Sequence, residues 1–168
     1  LIGFMGAGKT SVGEHFAARY RMPMIDTDKE IEAAAGMAIS DIFATRGEEA
    51  FRRLETGVLE KLLKQGGRSV ISVGGGLPLR AENRALLKQL GTVVYLDVLP
   101  ETVMERIGAD VSDRPMLHGS DVMGRIISLL ESRKPYYLKA SHIIVDVNGR
   151  DVDDIVEEIH RRAVDKTC

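Results

Sequence analysis

Short runs of apolar, largely β-branched residues alternate along this chain with longer stretches in which apolar positions recur every three or four residues. The short runs, at 1–3, 23–26, 69–73, 92–96 and 142–145, predict strands. They are apolar throughout, as strands covered on both faces are. Between them the 3.6-residue period predicts helices over about 9–20, 28–35, 40–45, 48–64, 79–89, 100–107, 120–138 and 151–164. Strand and helix in alternation predict an α/β fold around a parallel sheet. The chain shows no repeat, no low-complexity segment and no linker. One polar stretch, 108–119, interrupts the alternation and carries Arg114-Pro115, which marks it as a candidate lid. Two residues before Gly3 are too few for a central strand, which usually runs about 5–6 residues, so a few more are expected to precede Leu1.

Composition narrows the function without choosing it. At 168 residues the chain is most simply one domain, long enough to bury roughly 70% of its unfolded surface. A net charge of −2 gives no sign of a nucleic-acid or membrane partner. The one cysteine, Cys168, excludes a disulfide framework and argues against a cysteine metal site. His15, His118, His142 and His160 lack metal-ligand spacing. No apolar run approaches the roughly 20 residues of a membrane span, and no signal peptide is visible, so a cytoplasmic monomer is the expectation.

The chemistry begins at the first turn. Gly3, Gly8, Lys9 and Thr10 fill the pattern G-x-x-x-x-G-K-[ST] between an apolar run and an amphipathic helix. Glycines let backbone N–H groups face inward, and those groups sit at a helix N-terminus that attracts anions. Lys9 is placed to reach the outer phosphates of a nucleotide and Thr10 to hold Mg²⁺. The pattern argues against a dinucleotide-binding turn, because G-x-G-x-x-G from Gly6 would need glycine where Ser11 stands.

Later segments add charge at what a parallel sheet makes the same end. Asp26-Thr27-Asp28 follows the second strand; one carboxylate suits Mg²⁺ or its water, the other a proton acceptor, while Thr27 or Asp28 is also a candidate helix cap. Gly74, Gly75 and Gly76 leave the third strand, where three glycines point to close approach of a ligand. In 47–55, Glu48–Arg52 and Glu49–Arg53 have i,i+4 spacing and read by themselves as a solvated helix face. Arg106 near a helix end suits the dipole, and Arg133 just ahead of Pro135 reads by itself as a surface residue. Arg114, before a proline in the candidate lid, is placed to close on a transferring phosphoryl group.

Taken together these segments closely resemble the shikimate kinase family, P-loop kinases of the nucleoside monophosphate kinase-like superfamily. The likeness spans nearly the whole chain. It rests on G-F-M-G-A-G-K-T-S at 3–11, D-T-D at 26–28, G-E-E-A-F-R-R-L-E at 47–55, G-G-G at 74–76, R-P at 114–115 and E-S-R-K-P-Y at 131–136. The resemblance implies a three-layer fold with a five-stranded parallel sheet of order 2-3-1-4-5, helices on both faces, a substrate-binding subdomain at about 27–55 and the lid at 108–119. It implies ATP-dependent phosphorylation of the 3-hydroxyl of shikimate with Mg²⁺. Gly6, Ala7, Gly8, Lys9, Thr10 and Ser11 would cradle the ATP phosphates, with Thr10 on Mg²⁺ and Asp26 near its water shell. Asp28 would bind shikimate hydroxyls and act as base. Arg52 and Arg133 would hold the shikimate carboxylate, and Gly75, within Gly74–Gly76, would add backbone contacts. Arg114 would come in with the lid, and Arg106 and Arg150 would lie near adenine. Val147 departs from a threonine often found there. The competing readings are a gluconate or nucleotide kinase of the same superfamily, and a nucleotide-binding module without catalysis.

Overall fold

The computed structural model describes residues 1–107 and 121–164; the candidate lid with Arg114 lies outside them. In chain order the elements are α1 (Lys9–Tyr20), β1 (Met24–Asp26), α2 (Thr27–Ala35), α3 (Ile39–Gln65), β2 (Val70–Ser72), a 3₁₀ turn (Leu77–Leu79), α4 (Ala81–Leu90), β3 (Val94–Asp97), α5 (Pro100–Ile107), α6 (Val122–Ala140), β4 (Ile143–Asp146) and α7 (Val152–Val164).

The strands form two parallel pairs. β1 lies beside β2 with Met24 opposite Val70, and β3 beside β4 with Val94 opposite Ile143. The expected strand at 1–3 is reduced to a single bridge from Ile2 to Tyr95, since the chain enters the glycine turn directly after it. Ile2 N donates to Val94 O at 2.9 Å, Leu96 N to Ile2 O at 3.0 Å, and Val73 N to Leu1 O at 3.2 Å. In β3 Val94, Tyr95 and Leu96 are buried, as an apolar run predicts. β4 departs from that expectation: Ile143 and Val145 are buried, while Ile144 is 41% exposed.

Helix ends follow local chemistry. α2 starts one residue early because Asp26, rather than Thr27 or Asp28, caps it: Asp26 Oδ1 accepts from Asp28 N at 2.9 Å and Lys29 N at 3.3 Å. The expected helices at 40–45 and 48–64 are the two arms of α3, which breaks at Gly47 (φ 78°, ψ 171°). α4 begins later than expected because Pro78 sits in a separate 3₁₀ turn. α6 runs on through Pro135, which forfeits one helical hydrogen bond. Burial of Ile126, Leu130, Tyr137 and Ala140 along one face offsets that loss.

Two apolar clusters support these elements. The larger gathers Phe4, Tyr95, Leu96, Val103, Tyr137 and Val156. The smaller joins α2 to α3 through Ile31, Ile42, Phe51, Val58 and Leu62, and Ile71 packs against both. Among the described residues no helix is long and apolar enough to cross a membrane.

Candidate active site

α1 leaves the glycine turn without a side-chain cap. Its N-cap is Gly8, in the left-handed region at φ 88°, and its first turn holds no acidic residue. The donors of that turn and the positive end of the helix dipole therefore meet no carboxylate from the first turn of α1 itself. α2, by contrast, carries Asp26 as its cap. Lys9 folds back over the turn and donates from Nζ to Gly3 O at 2.9 Å and Phe4 O at 3.0 Å. Thr10 is exposed in the first turn of α1. Arg106 ties the turn to the loop after β4, donating to Gly6 O at 3.1 Å and Val147 O at 3.0 Å. Arg150 is turned the other way, onto Asp146 O at 2.9 Å and Glu158 Oε2 at 2.7 Å.

The three glycines after β2 are each met by one charged side chain. A Cβ at Gly74 would lie 2.7 Å from Asp28 Oδ1. One at Gly75 would lie 3.5 Å from an Arg133 guanidinium nitrogen, and one at Gly76 would lie 2.5 and 2.7 Å from those of Arg52. Asp28, Arg52 and Arg133, spread over some hundred positions of sequence, thus converge on one stretch of backbone. The constraint is sharpest at Gly74, where a Cβ would overlap the short Asp28 side chain; at Gly76 it would displace the far end of Arg52, and at Gly75 it would make ordinary contact. Gly74 N also donates to the buried Thr27 hydroxyl at 3.3 Å, which anchors the loop to α2.

Each of the three is held in a distinct electrostatic setting. Burial raises the Asp28 carboxyl above its usual range, and the Asp26 carboxylate beside it pushes the same way. Asp28 Oδ1 is, among the described residues, the one buried side-chain polar atom without a hydrogen-bond partner. Such an atom is costly unless something supplies a donor. Arg52 is oriented by Glu55 Oε2 at 2.8 Å and Glu48 Oε1 at 3.1 Å. Glu55 is only 1% exposed, and burial, outweighing the Arg52 guanidinium, raises its carboxyl to about 7. Arg133 is 6% exposed, which corrects its reading as a surface residue: α6 turns it inward, over the Phe4 ring at 5.9 Å. One turn on, the Tyr137 hydroxyl donates to Gly75 O at 2.7 Å.

Other expectations change in detail. Glu48 pairs with Arg52, but Glu49 pairs with Arg80, at 2.5 Å, rather than with Arg53. Arg80 follows the glycine loop and reaches the outer face of α3, a contact no helical spacing announces. Sequence reasoning also passed over Glu55 and Tyr137. The signal was present, since each sits one helical turn from a candidate arginine, at i+3 from Arg52 and i+4 from Arg133. Among the described residues no three His, Cys, Asp or Glu side chains gather as a metal cage. Mg²⁺ needs none, because it takes one or two protein oxygens and completes its shell with phosphates and water.

Comparison with known proteins agrees with this geometry. A family profile described as shikimate kinase matches residues 5–164. The chain is 44% identical over 160 residues to a shikimate kinase of Symbiobacterium thermophilum, covering 95% of this chain and 91% of that one. Among solved structures it is similar to the shikimate kinase of Acinetobacter baumannii in complex with shikimate, with a TM-score of 0.88, 35% identity, and coverage of 98% of this chain and 91% of that one. A gluconokinase of Sinorhizobium meliloti shares the fold at a TM-score of 0.53 and 21% identity, with coverage of 99% and 93%, a likeness that reaches the fold and no further. The α/β chain with its phosphate turn and three-glycine loop belongs to the shikimate kinase family.

Proposed function

We propose that the chain transfers the terminal phosphoryl group of ATP to the 3-hydroxyl of shikimate, giving shikimate 3-phosphate and ADP on the route to chorismate and the aromatic amino acids. One observation carries this reading. A buried carboxylate oxygen without a donor, on Asp28, and two inward guanidinium groups, on Arg52 and Arg133, flank a single glycine loop. A compact acid with several hydroxyls is complementary to that arrangement. Its carboxylate takes the two arginines, whose planar forks suit bidentate binding, and a hydroxyl supplies the donor that Asp28 lacks. Gly75 and its neighbours Gly74 and Gly76 bring backbone against the ring.

Asp28 then accepts the hydroxyl proton as that oxygen attacks phosphorus, its raised pKa suiting it to a base. The backbone of Gly6, Ala7, Gly8, Thr10 and Ser11 cradles the phosphates at the uncapped start of α1. Lys9 exchanges the carbonyls of Gly3 and Phe4 for phosphate oxygens. Arg114 comes from the segment outside the described residues and meets charge spread over the transferring group. Thr10 and Asp26, hard oxygen donors near the phosphate turn, fit Mg²⁺ directly and through water. When bound, the ion neutralises charge on the phosphate oxygens. Arg106 and Arg150 would lie near adenine: Arg106 is bonded to the phosphate turn, whereas Arg150 would leave Asp146 O and Glu158 to reach the base.

The finer architecture belongs to the same reading. Counting the segment at 1–3 as the first strand, its hydrogen bonds to Val73 on one side and Val94 and Leu96 on the other support a five-stranded order 2-3-1-4-5. The separate apolar cluster of α2 and α3 supports a substrate-binding subdomain at about 27–55 within a single domain; the lid proposed at 108–119 lies outside the described residues. A cytoplasmic monomer with ATP and shikimate as its ligands completes the reading. A coupled ADP-release assay with shikimate, gluconate and nucleoside monophosphates tests it. Shikimate is expected to give the highest kcat/KM; faster turnover of another acceptor overturns the substrate, and no ADP with any acceptor overturns the catalysis.

A further inference from the structure

Asn83 is a polar side chain with no exposed surface, and the reaction above assigns it nothing. Its Nδ2 donates to Leu77 O at 3.0 Å, and its Oδ1 accepts from the Thr56 hydroxyl at 2.7 Å. The two bonds point at two halves of the substrate site. Leu77 directly follows Gly76. Thr56 lies one turn beyond Arg52 on α3, with its hydroxyl 3.2 Å from Arg52 O. One amide therefore fastens the exit of the glycine loop to the turn of helix that carries Arg52, whose guanidinium rests on Gly76. The neighbouring Arg84 holds the next two carbonyls, Pro78 O and Leu79 O, each at 2.8 Å.

We infer that Asn83 is a positioning residue for the substrate carboxylate: it fixes the glycine loop against α3 and so sets where Arg52 presents its guanidinium. The amide, without needing a proton from solution, offers a donor to one partner and an acceptor to the other at this spacing. Because Arg52 grips a carboxylate that does not react, its misplacement weakens binding in the ground and transition states alike. The effect falls on KM for the acid and leaves kcat and the nucleotide KM near their wild-type values. A residue that merely satisfied a buried carbonyl would change stability and leave that split unmoved.

The inference rests on the shikimate reading, and the experiment separates the two. Wild type, Asn83→Ala and Thr56→Val are assayed well below their melting temperatures, with shikimate and ATP varied in turn. Asn83→Ala is expected to raise the shikimate KM about tenfold, with kcat and ATP KM within about twofold. Thr56→Val, which removes the hydroxyl that donates to Asn83 and also lies near Arg52 O and Glu82 Oε1, is expected to show the same split at about threefold. An unchanged shikimate KM with a lower Tm, or an equal rise in both KM values, overturns the positioning role. If Asn83→Ala does not fold, Thr56→Val decides by the same split. Failure of the wild-type chain to phosphorylate shikimate refutes the earlier reading instead.

Discussion

The carboxylate of Asp28 lies so close over Gly74 that a Cβ there would stand 2.7 Å from Oδ1. Real contacts of that kind do not occur, so Gly74→Ala must displace either the loop or the carboxylate. The loop is anchored by Thr27, and the short Asp28 side chain has little reach. The proposed base therefore moves by a few tenths of an ångström or more, and misplacements near 1 Å cost about 10²-fold in rate. Gly74→Ala is expected to lower kcat by one to two orders of magnitude, about that range. Steady-state kinetics with near-normal kcat refutes the placement of Asp28 at the reacting hydroxyl.

Asp28→Asn keeps the shape and removes the proposed base. General-base catalysis contributes about 10²–10⁴-fold, and turnover is expected to fall within that range. Stability should move oppositely. A carboxyl whose folded pKa is raised favours folding most when protonated and loses that contribution as pH rises through the folded value. Once that carboxyl is ionised, the wild type carries a buried charge that the variant lacks. Thermal denaturation should show Asp28→Asn more stable than wild type at pH 8, with the gap closing toward pH 4. A variant less stable at every pH contradicts the electrostatic account.

Gly76→Ala makes an instructive contrast with Gly74→Ala. The Cβ would meet the Arg52 guanidinium at 2.5–2.9 Å, but this is the far end of a long side chain that can swing aside. Gly76 has φ −91°, which alanine adopts without strain. Little stability should be lost, while the clamp on the acid opens. The shikimate KM is expected to rise about tenfold, the value of one charged hydrogen bond, with Tm within a few degrees. A large fall in Tm with unchanged KM counts against Arg52 as the carboxylate ligand.

Glu55 gives the protein a pH dependence near neutrality. Its carboxyl titrates at about 7 in the folded chain against an ordinary 4.5, because burial outweighs the Arg52 ion pair. The folded state thus binds this proton more tightly than the unfolded state. The stabilisation is complete below about pH 4.5 and is lost as pH rises through about 7, an effect of order 3 kcal/mol. Glu55→Gln removes the titration. Wild type should lose stability relative to this variant between pH 5 and pH 8; parallel Tm curves across that range rule the effect out.

Local signals made much of this site legible from sequence. Gly8-Lys9-Thr10 is a contiguous device whose turn, helix start and ligand groups lie within a few residues, so reading it needs no tertiary structure. The break at Gly47 was equally local. Arg133 shows where such reading stops: whether a helical arginine faces water or the core depends on how α6 packs on Phe4, which no spacing within α6 encodes. Without the resemblance to a family, Arg133 and Arg52 read as surface charges. The three glycines announced that something approaches the backbone closely. That Asp28, Arg133 and Arg52 each take one of them is a property of the assembled fold. Asp26 as the cap of α2 lies between: the residue types were evident, the choice among three adjacent candidates was not.

Arg106 ties the phosphate turn to the loop after β4. Its guanidinium spans Gly6 O in the phosphate turn and Val147 O beyond β4, a bridge between two loops that strand pairing alone does not join. A planar fork can reach two carbonyls at once, whereas a lysine ammonium on a flexible stem satisfies one of them well. Arg106→Ala should therefore loosen the phosphate turn against the adenine side and raise the ATP KM by about tenfold, on the loss of two hydrogen bonds of about 1 kcal/mol each less some compensation by water. Arg106→Lys should fall between wild type and the alanine variant. Neither reaches the glycine loop at 74–76, so the shikimate KM should stay within about twofold, distant sites contributing independently. Measuring both KM values for the two variants decides it: a shikimate KM that moves with the ATP KM means that the bridge acts on the whole site, and an alanine variant with normal ATP KM means that the bridge has no part in holding the nucleotide.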